Sequence, residues 1–274
     1  MNTRLTQSLL VLLVLFLGTP RATAQDDWKK LKNLVDQAQK LQTEGKYREA
    51  IISAKQALKL AAANWPKQTH HSHCLYLLAD LYDQQGLYTK AESLFKQCLV
   101  IEEKNLGPNH PDVVTTVNGL GLLYVNQGKF AQAEPLFKRA LAIREKALGP
   151  DHPQVAIGLN NIAKLYDDQG KDALAEPLYK RALAIKEKAL GPDHPQVAIG
   201  LNNLALLYRT QGKYAEAEPL FKRSLAINEQ ALGPDHPRVA TGLSNLAELY
   251  RQTDREAEAE KLEKRAAAIE AKER

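Results

Sequence analysis

The chain has 274 residues, of which 44% are hydrophobic and 25% are charged, and these values are ordinary for a soluble protein. Its formal net charge of +5 is too small to indicate a protein that binds nucleic acid or anionic membranes. Length alone would predict one or two compact domains, but an internal repeat replaces that expectation.

The first 24 residues have the pattern of a secretory signal peptide. Arg4 supplies a positive N-terminal region, residues 9–17 form an unbroken apolar run, and residues 22–24 match an A-x-A cleavage site. An uncleaved anchor is the alternative, although the apolar run is shorter than the roughly 20 residues that span a bilayer. We therefore expect a new N-terminus at Gln25 and export of the chain to the periplasm or out of the cell.

The rest of the sequence repeats with a period of 42 residues. The phrase Leu-Gly-Pro-Asp/Asn-His-Pro begins at Leu106, Leu148, Leu190 and Leu232, and residues 150–191 match residues 192–233 at 32 of 42 positions. A fixed period of this length is typical of a solenoid, in which each unit buries its apolar face against its neighbours. The predicted domains are a signal peptide at 1–24 and a solenoid at 25–274, with repeats at about 27–63, 67–105, 111–147, 153–189, 195–231 and 237–272.

Each repeat is predicted to form two antiparallel helices. In residues 192–233, apolar residues recur at helical spacing, Asp193 is a candidate cap for the first helix, and Gly212 suits the turn that ends it. Ala205 and Ala217 lie at similar distances from that turn, so we expect the two helices to approach closely there. Gly121 and Ala133 are the equivalent pair in the third repeat.

The sixth repeat and the cysteines depart from this pattern. Glu263 stands where the fifth repeat has Phe221, and the polar helix around it is expected to end the solenoid. Cys74 and Cys98 are the only cysteines, and each lies twelve residues from Gly86. A disulfide and two buried free thiols are both compatible with this spacing.

The repeat sequence resembles a known family. The segments Leu-Asn-Asn-Leu-Ala-x-Leu-Tyr at 201–208, Gln-Gly-Lys at 211–213 and Ala-Glu-Pro-Leu-Phe-Lys-Arg at 217–223 are similar to tetratricopeptide repeats of the 42-residue kind. This kind occurs in kinesin light chains and in many bacterial proteins. The resemblance is specific over residues 108–253 and weaker before them. It implies an all-α, right-handed superhelical solenoid of about six antiparallel helix pairs, whose concave groove binds a protein or an extended peptide.

The predicted binding residues lie on the first helices, on the side that the core does not use. The two most similar repeats differ at 164/206 and 167/209 on this side, although they also differ at 186/228 on the second helices, as an ordinary solvated face would allow. In the family, such asparagines bind peptide backbone, because an amide both donates and accepts hydrogen bonds. The candidate groove residues are Asn118, Asn160, Asn161, Lys164, Asn202, Asn203, Leu206, Arg209, Asn245 and Arg251.

Catalysis and metal binding are not indicated. The histidines of the repeated turn are one repeat apart, close to the ~10 Å spacing of packed helices, so one metal ion with bonds of about 2 Å cannot bridge them. Turn packing and helix capping explain them better, and His70, His71 and His73 form a cluster suited at most to adventitious metal binding. No hydrolase, metalloprotease, phosphate-loop or dinucleotide motif is present in the sequence. We predict no enzyme activity, no cofactor and no metal site.

The sequence therefore predicts an exported adaptor or scaffold that binds a protein or peptide partner in its groove. A self-associating structural scaffold, or an accessory subunit of a secretion or envelope assembly, is the alternative. The oligomeric state remains open.

Overall fold

The computed structural model describes residues 21–66 and 68–272, and in these residues the secondary structure consists of α-helices without strands. Twelve helices follow one another in six antiparallel pairs, which confirms the predicted all-α repeat fold. The helices are α1 (Arg21–Thr43), α2 (Tyr47–Asn64), α3 (Thr69–Gln84), α4 (Tyr88–Leu106), α5 (Val113–Asn126), α6 (Phe130–Leu148), α7 (Pro153–Asp167), α8 (Asp172–Leu190), α9 (Pro195–Thr210), α10 (Tyr214–Leu232), α11 (Pro237–Arg251) and α12 (Glu256–Ala271).

Most of the predicted signal peptide lies outside the described residues, so its cleavage stays a prediction. Helix α1 begins at Arg21, which places residues 22–24 in its first turn. Among the helices that the structure describes, none combines the length and the apolar character that a membrane crossing requires.

The chain divides into two compact units, the first ending at Cys98 and the second beginning at Leu99. The first unit has a core cluster of Leu31, Ala57, Ala61 and Cys74, against which Trp28 and Trp65 pack. The second unit contains the near-identical repeats, and its core clusters recur with the period of the sequence. Val113, Val117 and Ile143 form one such cluster, and Val155, Leu159 and Ile185 form the equivalent one a repeat later.

The turn histidines start the first helices of the last three repeats. His152, His194 and His236 are the N-cap residues, and in each case Nδ1 accepts a hydrogen bond of 3.1 Å from the backbone N–H two residues later. A proline follows each histidine at the first helical position, where its missing N–H is not needed. The capping role of the histidines is therefore confirmed. The expectation that Asp193 caps α9 is wrong, because the side chain that accepts the capping hydrogen bond belongs to the next residue, His194.

The glycines after the first helices close them with a left-handed turn. Gly212 has φ +71°, its N–H bonds to the carbonyl of Arg209 at 3.0 Å, and the N–H of Lys213 bonds to the carbonyl of Tyr208 at 2.8 Å. This is the hydrogen-bond pattern of a Schellman motif, in which glycine avoids the cost of a Cβ. In the sixth repeat Asp254 occupies the same position, with φ 57°.

Replacing Asp254 by glycine is expected to stabilise the chain by about 1 kcal/mol, because the left-handed conformation strains a residue with a Cβ. Urea denaturation followed by circular dichroism measures the change. Gly212→Asp is the matched control and is expected to lose a similar amount. If Asp254→Gly leaves the free energy of unfolding unchanged, this turn is not strained.

In the third repeat, the first helix lies directly against an aromatic ring of the second helix. A Cβ built on Gly121 would lie 2.6 Å from Cε1 of Phe137, and the three nearest atoms all belong to that ring. The predicted neighbour, Ala133, is not among these three atoms, and the close pairing of small residues stays a prediction. Phe137 follows Ala133 by four residues on α6, and its ring packs against the first helix.

An arginine on the second helix ties each repeat of the second unit to the repeat before it. Arg223 donates to Oε1 of Glu187 at 2.6 Å and to the carbonyl oxygen of Pro192 at 2.8 Å. The same arginine position therefore holds the preceding second helix and the turn that follows it. Arg139, Arg181 and Arg265 repeat this arrangement. These contacts give the arginines of the second helices a structural role, so their presence does not indicate binding of nucleic acid.

Cys74 and Cys98 are both buried, and neither forms a disulfide. The Sγ–H of Cys98 donates to the carbonyl of Ser72 at 3.1 Å. Burial raises the pKa of the Cys74 thiol to about 12, so this sulfur stays protonated and unreactive at neutral pH.

Candidate partner-binding site

The core of each first helix decides which side chains remain at the surface. In α9, Leu201, Leu204 and Ala205 are buried, which leaves Asn202 and Leu206 half-buried at the edge of the core. The same spacing recurs in α5, α7 and α11. We call the resulting surface, which carries Asn118, Asn160, Asn202 and the residues around them, the asparagine face.

Hydrogen bonds between asparagines join neighbouring first helices on this face. Nδ2 of Asn203 donates to Oδ1 of Asn160 at 3.1 Å, and Nδ2 of Asn245 donates to Oδ1 of Asn202 at 2.8 Å. Donor and acceptor are 43 positions apart in both cases, so the pattern has the period of the repeats. Four of the predicted groove residues are therefore brought together in two pairs.

The equivalent hydrogen bond from Asn161 to Asn118 of the third repeat is not formed. Asn118 is 8% exposed, and its Oδ1 is buried without a hydrogen-bond partner in the part of the chain that the structure describes. Asn161, which corresponds to the donors Asn203 and Asn245, is half-buried. The series of asparagine pairs therefore ends at Asn118, whose buried Oδ1 accepts no hydrogen bond from the described residues.

The charged and apolar candidates have different surroundings. Lys164 is exposed and forms an ion pair with Asp168, while Leu206 and Arg209 are half-buried on α9. Arg251 is held by Glu263 of α12, with Nε and Nη2 each 2.7 Å from a carboxylate oxygen. Glu263 stands at the position where other repeats have an aromatic ring. It forms an ion pair with the guanidinium of Arg251.

Large apolar side chains lie exposed on the same first helices. Leu122 of α5 is 47% exposed and Ile157 of α7 is 45% exposed. Their equivalents in the fifth repeat are Leu206 and Ile199, which are half-buried. A partner could bury these side chains while its backbone meets the asparagines.

A pocket of about 160 Å³ opens between α9, α10 and α11. Asn202, Asn228, Arg238 and Thr241 supply its polar wall, and Ile199 contributes an apolar one. Asn228 is 8% exposed, and its Oδ1 has no hydrogen-bond partner among the described residues. The pocket therefore combines one predicted groove residue with a second-helix residue that the helical spacing of α9 did not indicate.

Second-helix residues equivalent to Asn228 are also polar, with Lys186 buried and Arg144 half-buried. Lys186 is 6% exposed, and Nη1 of Arg144 is buried without a hydrogen-bond partner in the described part. Burial lowers the pKa of both side chains. The difference between Lys186 and Asn228 in two near-identical repeats was the signal for this position, but sequence reasoning treated it as variation on a solvated face.

The described residues contain no group of three histidine, cysteine, aspartate or glutamate side chains that could hold a metal ion. In the predicted histidine cluster, the ring of His70 packs against Trp28 with centroids 4.6 Å apart, and Nδ1 of His71 lies 2.7 Å from the carbonyl of Pro66. These two rings are engaged in packing and in a local hydrogen bond.

Solved structures of repeat proteins are similar to this fold. BtubC (BKLC) from P. vanneervenii is 27% identical, with a TM-score of 0.71, over 82% of this chain and 91% of that chain. A P. anserina protein described as a kinesin light chain with nearly identical TPR-like repeats is 28% identical, with a TM-score of 0.65, over 75% of this chain and 98% of that chain. PilW, a type IV pilus biogenesis factor, is 21% identical, with a TM-score of 0.62, over 87% of this chain and 92% of that chain, and at this identity the likeness concerns the fold.

Comparison with curated proteins finds no match. Profiles of the tetratricopeptide repeat match residues 35–104, 71–146, 112–188, 169–230 and 196–270. Proteins with these repeats are generally scaffolds for protein interaction without enzyme activity. The repeated helix pairs, the asparagine face and these matches together show that the chain belongs to the tetratricopeptide repeat family.

Proposed function

We propose that the chain is an exported adaptor whose asparagine face binds an extended segment of a partner protein. The observation that carries this proposal is the arrangement of the half-buried amides of Asn160 and Asn202. Each uses Oδ1 to accept from the next repeat. Each keeps its Nδ2 donors for a ligand, and a peptide carbonyl is the acceptor that any extended segment offers at every residue.

The apolar side chains beside the asparagines support a protein ligand over a small polar one. Leu122 and Ile157 are each nearly half exposed, and burial of such a side chain contributes on the order of 1.5–3 kcal/mol when it is complete. Backbone hydrogen bonds then set the register, and the apolar contacts add affinity.

Export rests on the N-terminal sequence: Arg4, the apolar run of residues 9–17 and the A-x-A pattern of residues 22–24. Mass spectrometry of the protein from its native host is expected to give an N-terminus at or near Gln25. An intact Met1 in a cytosolic form would contradict export and leave the binding proposal untouched.

The inter-repeat hydrogen bonds allow a matched test of the binding mechanism. Asn160→Ala and Asn203→Ala both break the bond between α7 and α9, which contributes about 0.5–1.5 kcal/mol, so both are expected to lower stability equally. Only Asn160→Ala removes the amide proposed to donate to the ligand. With the tightest peptide selected from a random display library as the probe, Asn160→Ala is expected to weaken binding more than Asn203→Ala does.

Equal binding by the two variants would rule out the amide mechanism and leave these asparagines a structural role. A self-associating scaffold, or an accessory subunit in a secretion or envelope assembly, is the rival proposal. Light scattering distinguishes the first rival, since an adaptor remains the same size across concentrations and binds peptide, whereas a scaffold grows with concentration in the absence of any partner.

A further inference from the structure

A glutamate near the start of a second helix meets a buried tyrosine of the next repeat at three successive junctions of the second unit. Each tyrosine lies near the end of its first helix, and its hydroxyl donates to Oε1 of the glutamate at 2.9, 3.1 and 3.1 Å. The tyrosine rings are 5–8% exposed, so each belongs to the core. The glutamates, which we call the junction carboxylates, are Glu134, Glu176 and Glu218, and their partners are Tyr166, Tyr208 and Tyr250.

Cations from two repeats surround each junction carboxylate. Nζ of Lys180, four residues later on α8, donates to Oε1 of Glu176 at 2.7 Å, and Nζ of Lys213, just before α10, donates to Oε2 at 3.2 Å. Together with Tyr208, these contacts join one carboxylate of the fourth repeat to both helices of the fifth. The corresponding cations are Lys138 and Lys171 around Glu134, and Lys222 and Arg255 around Glu218, where Arg255 also pairs with Glu258.

The junction carboxylates hold the helix ends that the chain itself leaves free. Helix α8 continues into α9 through the turn after Leu190, whereas Glu176 lies at the opposite end of α8 and Tyr208 lies at the far end of α9. Beside the turn, Arg223 bonds to a carboxylate and also to the backbone carbonyl of Pro192, an acceptor that does not titrate. The turn end of the junction is therefore held at any pH, and the free end is held by a carboxylate.

Folding favours the ionised form of these carboxyl groups. The hydrogen bond from the lysine four residues later contributes most to lowering the pKa of each, and the contacts from the next repeat lower it further against the opposing effect of partial burial. Such a group stabilises the fold above the pH at which free glutamate titrates, about 4.3, and this stabilisation is lost as the pH falls through the lowered pKa. The side chains are 24–26% exposed, so solvent screens the ion pairs only in part.

We infer that the junction carboxylates are acid-sensitive clasps, which close the free ends of successive repeats at neutral pH and release them when protonated. A neutral carboxyl group still accepts from the tyrosine hydroxyl, but it loses the ion pairs with the cations of both repeats. The stability of a solenoid is a sum over repeats and their interfaces, so the release weakens three interfaces while the contacts within each helix pair stay the same. In acid, the second unit is therefore expected to unfold at a lower temperature and less cooperatively.

The triple variant Glu134→Gln, Glu176→Gln and Glu218→Gln tests the clasps, since glutamine keeps the shape of the side chain and cannot ionise. At pH 7, differential scanning calorimetry is expected to show a melting temperature at least about 2–4 °C below that of the wild type and a broader transition. At pH 3 this difference is expected to shrink to less than about half, because the wild-type carboxylates are then largely protonated as well.

Glu216→Gln is the matched control, with the same charge change two residues from Glu218 on α10. Glu216 is exposed and forms no ion pair among the described residues, so this variant is expected to melt like the wild type at both pH values. A melting difference of the triple variant that is the same at pH 7 and pH 3 would overturn the inference, since it would arise from packing and not from charge. Equal melting of the triple variant and the wild type at pH 7 would overturn it as well.

Two further measurements cover a triple variant that does not fold. The single variant Glu218→Gln retains two clasps and is expected to show a smaller melting difference that shrinks in the same way at pH 3. Hydrogen exchange of the wild type then locates the opening. Between pH 7 and pH 3, the amide protection factors of residues 206–210, at the free end of α9, are expected to fall about tenfold relative to those of residues 199–202. An unchanged ratio would show that acid does not release the free end, and the clasps would be ruled out.

Discussion

Replacing Phe221 by alanine is expected to lower the free energy of unfolding by about 3–5 kcal/mol, the usual cost of removing a buried aromatic ring. Phe221 is 1% exposed on α10. The equivalent ring of Phe137 lies against the first helix of its own repeat, close enough to meet a Cβ on Gly121. The substitution therefore leaves a cavity between the two helices of the fifth repeat.

Urea denaturation followed by circular dichroism measures this loss. Tyr214→Ala is the control, because Tyr214 is an aromatic residue at the start of the same helix and is only half-buried. We expect it to cost clearly less than Phe221→Ala. Equal losses would show that the ring of Phe221 does not hold the pair together.

The second large effect is expected from overpacking at the same contact. Ala205 is fully buried on α9, and its counterpart Gly121 leaves no room beside the ring of Phe137. Ala205→Leu adds three carbons there and is expected to cost about 1–3 kcal/mol. Because stability in a solenoid is a sum over repeats and their interfaces, unfolding is also expected to spread over more than one step.

Thr210→Leu is the control for this variant, since Thr210 is exposed near the end of the same helix. Differential scanning calorimetry is expected to show a lowered and broadened transition for Ala205→Leu and little change for Thr210→Leu. If the two variants melt alike, the helix pairing described for the fifth repeat is wrong.

The fold could be predicted from the sequence because its physical determinants are local and repeated. Gly212 ends a helix through its own backbone conformation, and the apolar positions of one helix follow from its period of 3.6. The cap of α9 was assigned to Asp193 because aspartate is the commoner capping residue, whereas His194 is the residue in place. Such a choice between adjacent residues depends on where the turn places each side chain.

The candidate site could be predicted only in part, because its contacts join different helices. Helical spacing placed Asn160 and Asn202 on one surface, but it could not show that Asn203 and Asn245 bond to them from the next repeat. Lys186 was missed for a related reason, since the spacing along α7 or α9 carries no information about side chains that reach in from α8. Only a comparison of the two near-identical repeats could have indicated it.

Site-specific photocrosslinking in the native host tests most directly the claim that the asparagine face binds the partner. A photoreactive residue would replace Leu206 on that face in one variant and Ala226, which is exposed on the second helix α10, in another. We predict a discrete crosslinked partner from position 206 and none from position 226. Crosslinking from position 226 alone, or equally from both positions, would contradict the proposed site.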